Sequence, residues 1–123
     1  KATRTESGHV IEVDDTRDNE RLSVEHRTGT FYEIDKDGNE IHRVVNDRYT
    51  VICKNDELYV GGNVNIKVLG DAKIHANGKV DISSFNDGKI DVAGKLDIEA
   101  GSDITLKSGR DVVVRAQKFR PNS

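Results

Sequence analysis

The chain has no methionine, no tryptophan, one proline and one cysteine, and its 123 residues include only three phenylalanines and three tyrosines. With 34% hydrophobic residues set against 33% charged ones, it lacks the thick core by which a chain of this length ordinarily stabilises itself alone. The lone Cys53 excludes an intrachain disulfide framework. Such a cysteine ordinarily behaves as a small apolar side chain, and no adjacent base or cation marks it as a reactive thiol. Long uncharged apolar runs are missing too, so no segment has the length of a membrane-spanning helix. Neither charge sign dominates: 19 Lys and Arg against 22 Asp and Glu leave a net charge of −3. That excludes a basic footprint for nucleic acid. The absence of methionine and the Lys1-Ala2-Thr3 start lead to the expectation of a piece of something longer.

Few apolar and many charged residues also accompany disorder, but what the chain does contain is regular. From Gly62 to Gln117 it reads GNVNIKVL, GDAKIHAN, GKVDISSF, NDGKIDVA, GKLDIEAG, SDITLKSG, RDVVVRAQ, seven units of eight residues. A fixed short period is the signature of a repeat architecture. The fifth place is always apolar and branched: Ile66, Ile74, Ile82, Ile90, Ile98, Leu106, Val114. Third places (Val64, Ala72, Val80, Gly88, Leu96, Ile104, Val112) and seventh places (Val68, Ala76, Ser84, Val92, Ala100, Ser108, Ala116) are small or apolar. Even places are mostly Asn, Asp, Lys, Glu and Ser. Because side chains alternate along a strand, each unit predicts a five-residue strand with one dry and one wet face. Glycines at the unit boundaries, Gly62, Gly70, Gly78 and Gly94 among them, are read as corners that exploit glycine's backbone freedom.

Before the repeat, short alternating stretches at 9–13, 21–26, 30–35, 40–45 and 49–53 are separated by polar turns such as Lys36-Asp37-Gly38-Asn39. Asp-Gly between two such stretches is a strong hairpin signal. The expected organisation is an antiparallel collar over 1–54, an octad-repeat segment over 55–117 and a C-terminal tail over 118–123. No helix is expected.

Burial then decides the stoichiometry. Three octads make one coil of about 24 residues, so seven octads give a lone chain little more than two short coils with open strand edges. Three copies wound about one axis let every dry face meet another, and closed cyclic symmetry is the ordinary route to a homo-oligomer. The expected fold is all-β: a homotrimeric, intertwined triple-stranded β-helix preceded by a small antiparallel collar. Its core would be Val64, Ile66, Val68, Ile74, Val80, Ile82, Ile90, Val92, Leu96, Ile98, Ile104, Leu106, Val112 and Val114.

Chemistry-bearing patterns are scarce. His9, His26, His42 and His75 form no metal-ligand spacing; His75 occupies an outward place and reads as a solvated surface residue. Glu12, Asp14 and Asp15 suit a turn and a solvated edge better than a carboxylate pair across a cleft. Phosphate-loop, dinucleotide and nucleophile-elbow patterns are absent, so neither enzymatic activity nor a cofactor is expected. One level of the repeat is irregular. Ser84 and Gly88 stand where neighbours carry bulk, which makes them a candidate axial cavity. Local repacking, Phe85, water, an ion or an apolar guest would each fill it.

Three segments carry a family resemblance: Ser7-Gly8-His9-Val10-Ile11-Glu12-Val13-Asp14-Asp15-Thr16, then Glu20 to Thr30 (ERLSVEHRTGT), then Asp35-Lys36-Asp37-Gly38. The steps Val60-Gly61-Gly62-Asn63 and Val68-Leu69-Gly70-Asp71 continue it. Together they resemble the C-terminal needle of the central spike of contractile-tailed phages, the cell-puncturing device of T-even-like viruses. The valine-glycine repeat spikes of bacterial type VI secretion share the signature. The resemblance implies a rigid, non-catalytic homotrimer in the virion's tail baseplate, driven through the host outer membrane on tail contraction. It also implies other baseplate hub proteins as partners, no nucleic acid, and a lysozyme domain upstream in the phage members. An iron-binding H-x-H apex is absent here, so a separate conical tip protein is expected, seated on Val112, Val114 and Phe119. The other readings are a type VI spike and a trimeric stalk or receptor-binding fibre segment, which would need an exposed apolar patch.

Overall fold

A computed structural model of the chain describes residues 1–122. Among them there is no helix, and five strands form one antiparallel sheet in the order β1-β2-β3-β4-β5. The strands are β1 (Ala2–Arg4), β2 (Val10–Asp14), β3 (Arg21–Glu25), β4 (Phe31–Ile34) and β5 (Glu40–Arg43). Alternating β-branched and aromatic residues explain β2 to β4, since such side chains suit a pleated surface. Two findings differ from expectation. Ala2–Arg4 has little apolar content to mark it as a strand, and it is held by pairing to β2 through Thr3↔Ile11 and Arg4↔Val10. Residues 49–53 are not a strand of the sheet.

Three of the four hairpins use the same five-residue turn. In each, the first N–H bonds to the fifth carbonyl and the fourth N–H to the first carbonyl: Thr5 and His9, His26 and Thr30, Asp35 and Asn39. The fourth residue is Gly8, Gly29 or Gly38, with φ of 93°, 99° and 82°, the left-handed geometry that closes such a loop with a bulge. The β2–β3 connection lacks a glycine, and Asp18 takes the positive φ instead (66°).

The third turn adds a side-chain clamp. The Asp37 and Asn39 N–H groups donate to Asp35 Oδ1 (2.9 and 3.0 Å), and Asn39 Nδ2 donates to Asp35 Oδ2 (3.1 Å). These bonds from Asn39, backbone first and side chain second, hold the Asp35 carboxyl below its ordinary pKa. Since the folded pKa is the lower one, the clamp is fully present above the ordinary carboxylate pKa. It is lost as pH falls through the folded value. Acidification is therefore expected to lower the protection of the Asp37 and Asn39 amides relative to their intrinsic exchange rates, and Asp35→Asn to weaken that acid response. Exchange that ignores pH apart from its intrinsic dependence would contradict the clamp.

Register sorts the two sheet faces. The cross-strand pairs Ile11↔Val24, Val13↔Leu22, Leu22↔Ile34 and Val24↔Tyr32 build an apolar face. Glu12↔Ser23↔Glu33 build a polar one, on which Arg21 Nη2 lies 2.6 Å from Glu12 Oε1 and Arg21 Nη1 lies 3.6 Å from Glu33 Oε1. Among the described residues no side chain is buried, and most of the apolar face is exposed.

The chain divides into two units, Lys1–Lys67 and Val68–Ser123. Ser123, the last residue of the expected tail, lies outside the described residues. Total accessible surface is 13312 Å², whereas a compact monomer of 13.6 kDa exposes only about 6,600 Å².

Candidate functional site

Beyond β5 the backbone bends at 45–46, 53–54 and 61–62 in the first unit. Within the second it bends at 69–70, 77–78, 85–86, 93–94, 101–102, 109–110, 117 and 121. Gly62, Gly70, Gly78 and Gly94 all stand at bends. None takes a positive φ, and a Cβ added at any would meet nothing within 4 Å. Neither backbone strain nor crowding inside one chain requires glycine there.

Seventh-place serines assist two bends. Ser84 Oγ accepts the Asn86 N–H (3.2 Å), and Ser108 Oγ accepts the Arg110 N–H (3.2 Å). The first of these bends, Phe85-Asn86, is one that contains no glycine, so a local side-chain bond orders it instead.

Even places share one side of the chain. Lys79 pairs with Asp81 (3.4 Å), Lys89 with Asp91 (3.7 Å) and Lys95 with Asp97 (3.4 Å), each two residues apart as extended geometry requires. These pairs are solvent-exposed and contribute little stability; what they reveal is orientation. The odd side carries Val64, Val68, Val80, Val92, Leu96, Ile104 and Val112, half-exposed, and Ile66, Ile74, Ile82, Ile90, Ile98, Leu106 and Val114, more exposed still. Ile82 and Ile74 exceed nine-tenths exposure. Among the described residues none of these branched side chains is buried.

The Ser84 and Gly88 level forms a cleft of about 530 Å³, lined also by Ile82, Ser83, Lys89 and Ile90. Phe85 does not line it; the ring stands fully exposed at the bend. At the other end of the segment Val112, Val114 and Phe119 are exposed. Val113, at an even place, is exposed as well.

The sheet brings together one pair that sequence spacing does not single out. His9 and His26 have ring centroids 4.5 Å apart, because β2–β3 pairing aligns the residues flanking Val10↔Glu25. His9 Nδ1 accepts the Arg27 N–H (3.2 Å), and His26 Nδ1 lies 2.8 Å from Thr28 Oγ1. Among the described residues no three His, Cys, Asp or Glu converge as metal ligands. Asp14 accepts the Thr16 N–H (2.9 Å), and hydrogen bonding to Thr16 holds its carboxyl below the ordinary value. It caps a turn. Cys53 is exposed at the 53–54 bend.

No family model matches the chain. It is 46% identical over 71 residues to Protein Gp5 of Vibrio phage KVP40, an alignment covering 58% of this chain and 17% of that protein. It is 35% identical over 66 residues to the pre-baseplate central spike protein Gp5 of Enterobacteria phage T4, covering 54% of this chain and 12% of that one. The resemblance to phage central spike proteins holds. The chain spans less than a fifth of either Gp5 relative. Its structure presents repeated apolar side chains that are exposed.

Proposed function

We propose that this chain is the needle portion of a central spike in a phage tail baseplate, working as a non-catalytic homotrimer that pierces the host outer membrane on tail contraction. One observation carries the trimer: the exposed surface is roughly twice that of a compact monomer, and it includes every one of the regularly spaced branched residues. An excess of thousands of Å² belongs to the range of obligate interfaces, whose subunits resemble a core cut apart. Three chains wound as a triple-stranded β-helix of octads would bury the odd side along one axis and leave the Lys–Asp pairs outside. Interchain strand pairing would then resist bending, because no chain can leave without breaking ladders on both of its edges.

The corner glycines fit the same assembly. They have no cause within one chain, whereas close backbone approach by a neighbouring copy would require them. In the assembled prism the Ser84–Gly88 level is the place for water, an ion or an apolar guest, and no cofactor is needed. Val112, Val114 and Phe119 would seat a separate tip protein, and other baseplate proteins would hold the opposite end. Both relatives are phage proteins, which favours a virion spike over a secretion spike.

Sedimentation and light scattering test the central claim. A mass of three chains is expected, with a melting temperature that rises with protein concentration. A folded monomer would overturn it.

A further inference from the structure

Two apolar surfaces of the first unit lack cover. One is the sheet face formed by Ile11, Val13, Leu22, Val24 and Tyr32. The other is a stripe of Tyr49, Val51 and Tyr59, exposed by 87%, 84% and 87%. The stripe sits on the outward side. Ile52 and Val60 are exposed by 50% and 46%, matching the seventh-place residues Val68 and Val92 at 51% and 44%. Tyr49, Val51 and Tyr59 therefore occupy even places, where the units from Gly62 to Gly109 carry Asn, Asp, Lys, His, Glu, Ser or Thr except at a bend. Apolar aromatics at places that are otherwise solvated mark a contact.

Neither surface covers the other within one chain. The Val45 N–H donates to Thr30 Oγ1 (3.2 Å), and the Val45 side chain lies against Gly29. This anchors the chain at the end of the sheet, and the following residues leave Tyr49 and Val51 facing solvent. Each chain thus offers one uncovered sheet face and one uncovered stripe. In a closed ring these satisfy each other head to tail with none left over.

We infer that the apolar sheet face of one copy packs on the Tyr49–Val51–Tyr59 stripe of a neighbouring copy, locking the collar onto the first turns of the needle. The proposal rests on the trimer above and names which surfaces meet within it. The collar thereby acquires a mechanical role, because a sheet with one bare apolar face becomes a clasp between chains.

A photo-crosslinking benzoyl-phenylalanine in place of Tyr49, and separately of Tyr59, tests it in trimers refolded from mixed isotopically light and heavy full-length chains. Expected are crosslinks from these positions to peptides holding residues 10–13 or 21–34 of a chain with the other isotope label. Crosslinks confined to the same chain, or to residues outside the sheet, in a sample of trimer mass would overturn this packing and leave the trimer standing. A monomer mass in the unmodified protein would overturn both.

Discussion

Replacing Ile82 by aspartate is expected to abolish assembly at neutral pH, giving monomer mass in sedimentation and loss of cooperative melting. Ile82 is more than nine-tenths exposed in the isolated chain, so by itself the chain should scarcely notice the change. In the proposed trimer the same side chain faces the axis three times on one level. Burying an isoleucine contributes about 1.5–3 kcal/mol, and an unpaired carboxylate in a dry interior costs several kcal/mol more. Three carboxylates facing one another add mutual repulsion, so the level fails as a whole. His75→Asp makes the complementary control. It places a carboxylate on the even side, where Asp81 and Asp97 already sit exposed beside lysines, and trimer mass should be unchanged. An Ile82→Asp protein that still sediments as a trimer would remove the odd side from the axis.

The contrast between these substitutions rests on side-chain alternation, which the sequence from Gly62 onward displays openly. There, bends fall where the eight-residue units join. Nearer the sheet the same spacing is hidden. Bends at 45–46 and 53–54 continue it backwards, but Arg48, Thr50 and Asp56 stand at places that later carry branched apolar residues, and Val51 and Tyr49 stand where charge is usual. With that polarity reversed, residues 49–53 read as a fifth collar strand. In the packing proposed above the reversal marks a surface that meets another copy, and single-chain periodicity does not encode it. Likewise β1 carries little intrinsic strand signal, and its order comes from the partner edge of β2. The turn glycines at 29 and 38 are legible because each needs a left-handed backbone, whereas the turn at Gly8 goes unread together with β1. The boundary glycines are legible as corners but not in their cause, which no contact among the described residues supplies. His9 and His26 escape sequence reasoning because they come together only through register.

An in-frame deletion separates the spacing of the segment from its composition. Removing the eight residues Gly78–Phe85 takes away one full unit, from just after one bend residue to just before another at 85–86. Asn77 is then joined to Asn86, every odd place stays odd, and the following bends keep their spacing. In a three-fold prism the sides are equivalent, so a needle shortened by one side per chain closes with the same partners one step round. Trimer mass is expected to survive, with a lower melting temperature from the lost burial of Val80 and Ile82 in each copy. Removing only the seven residues Gly78–Ser84 leaves Phe85 as one extra residue at the corner. That one-residue slip moves every later branched side chain to the wet side and every later Lys–Asp pair to the axis, since side chains alternate with a period of two. The branched residues from Ile90 to Val114 would all be displaced, and this protein is expected to aggregate or remain monomeric. Light scattering on the two variants, prepared together, reads the difference directly. If the seven-residue deletion assembled as well as the eight-residue one, alternation would not be what holds the chains together, and the needle would need another account.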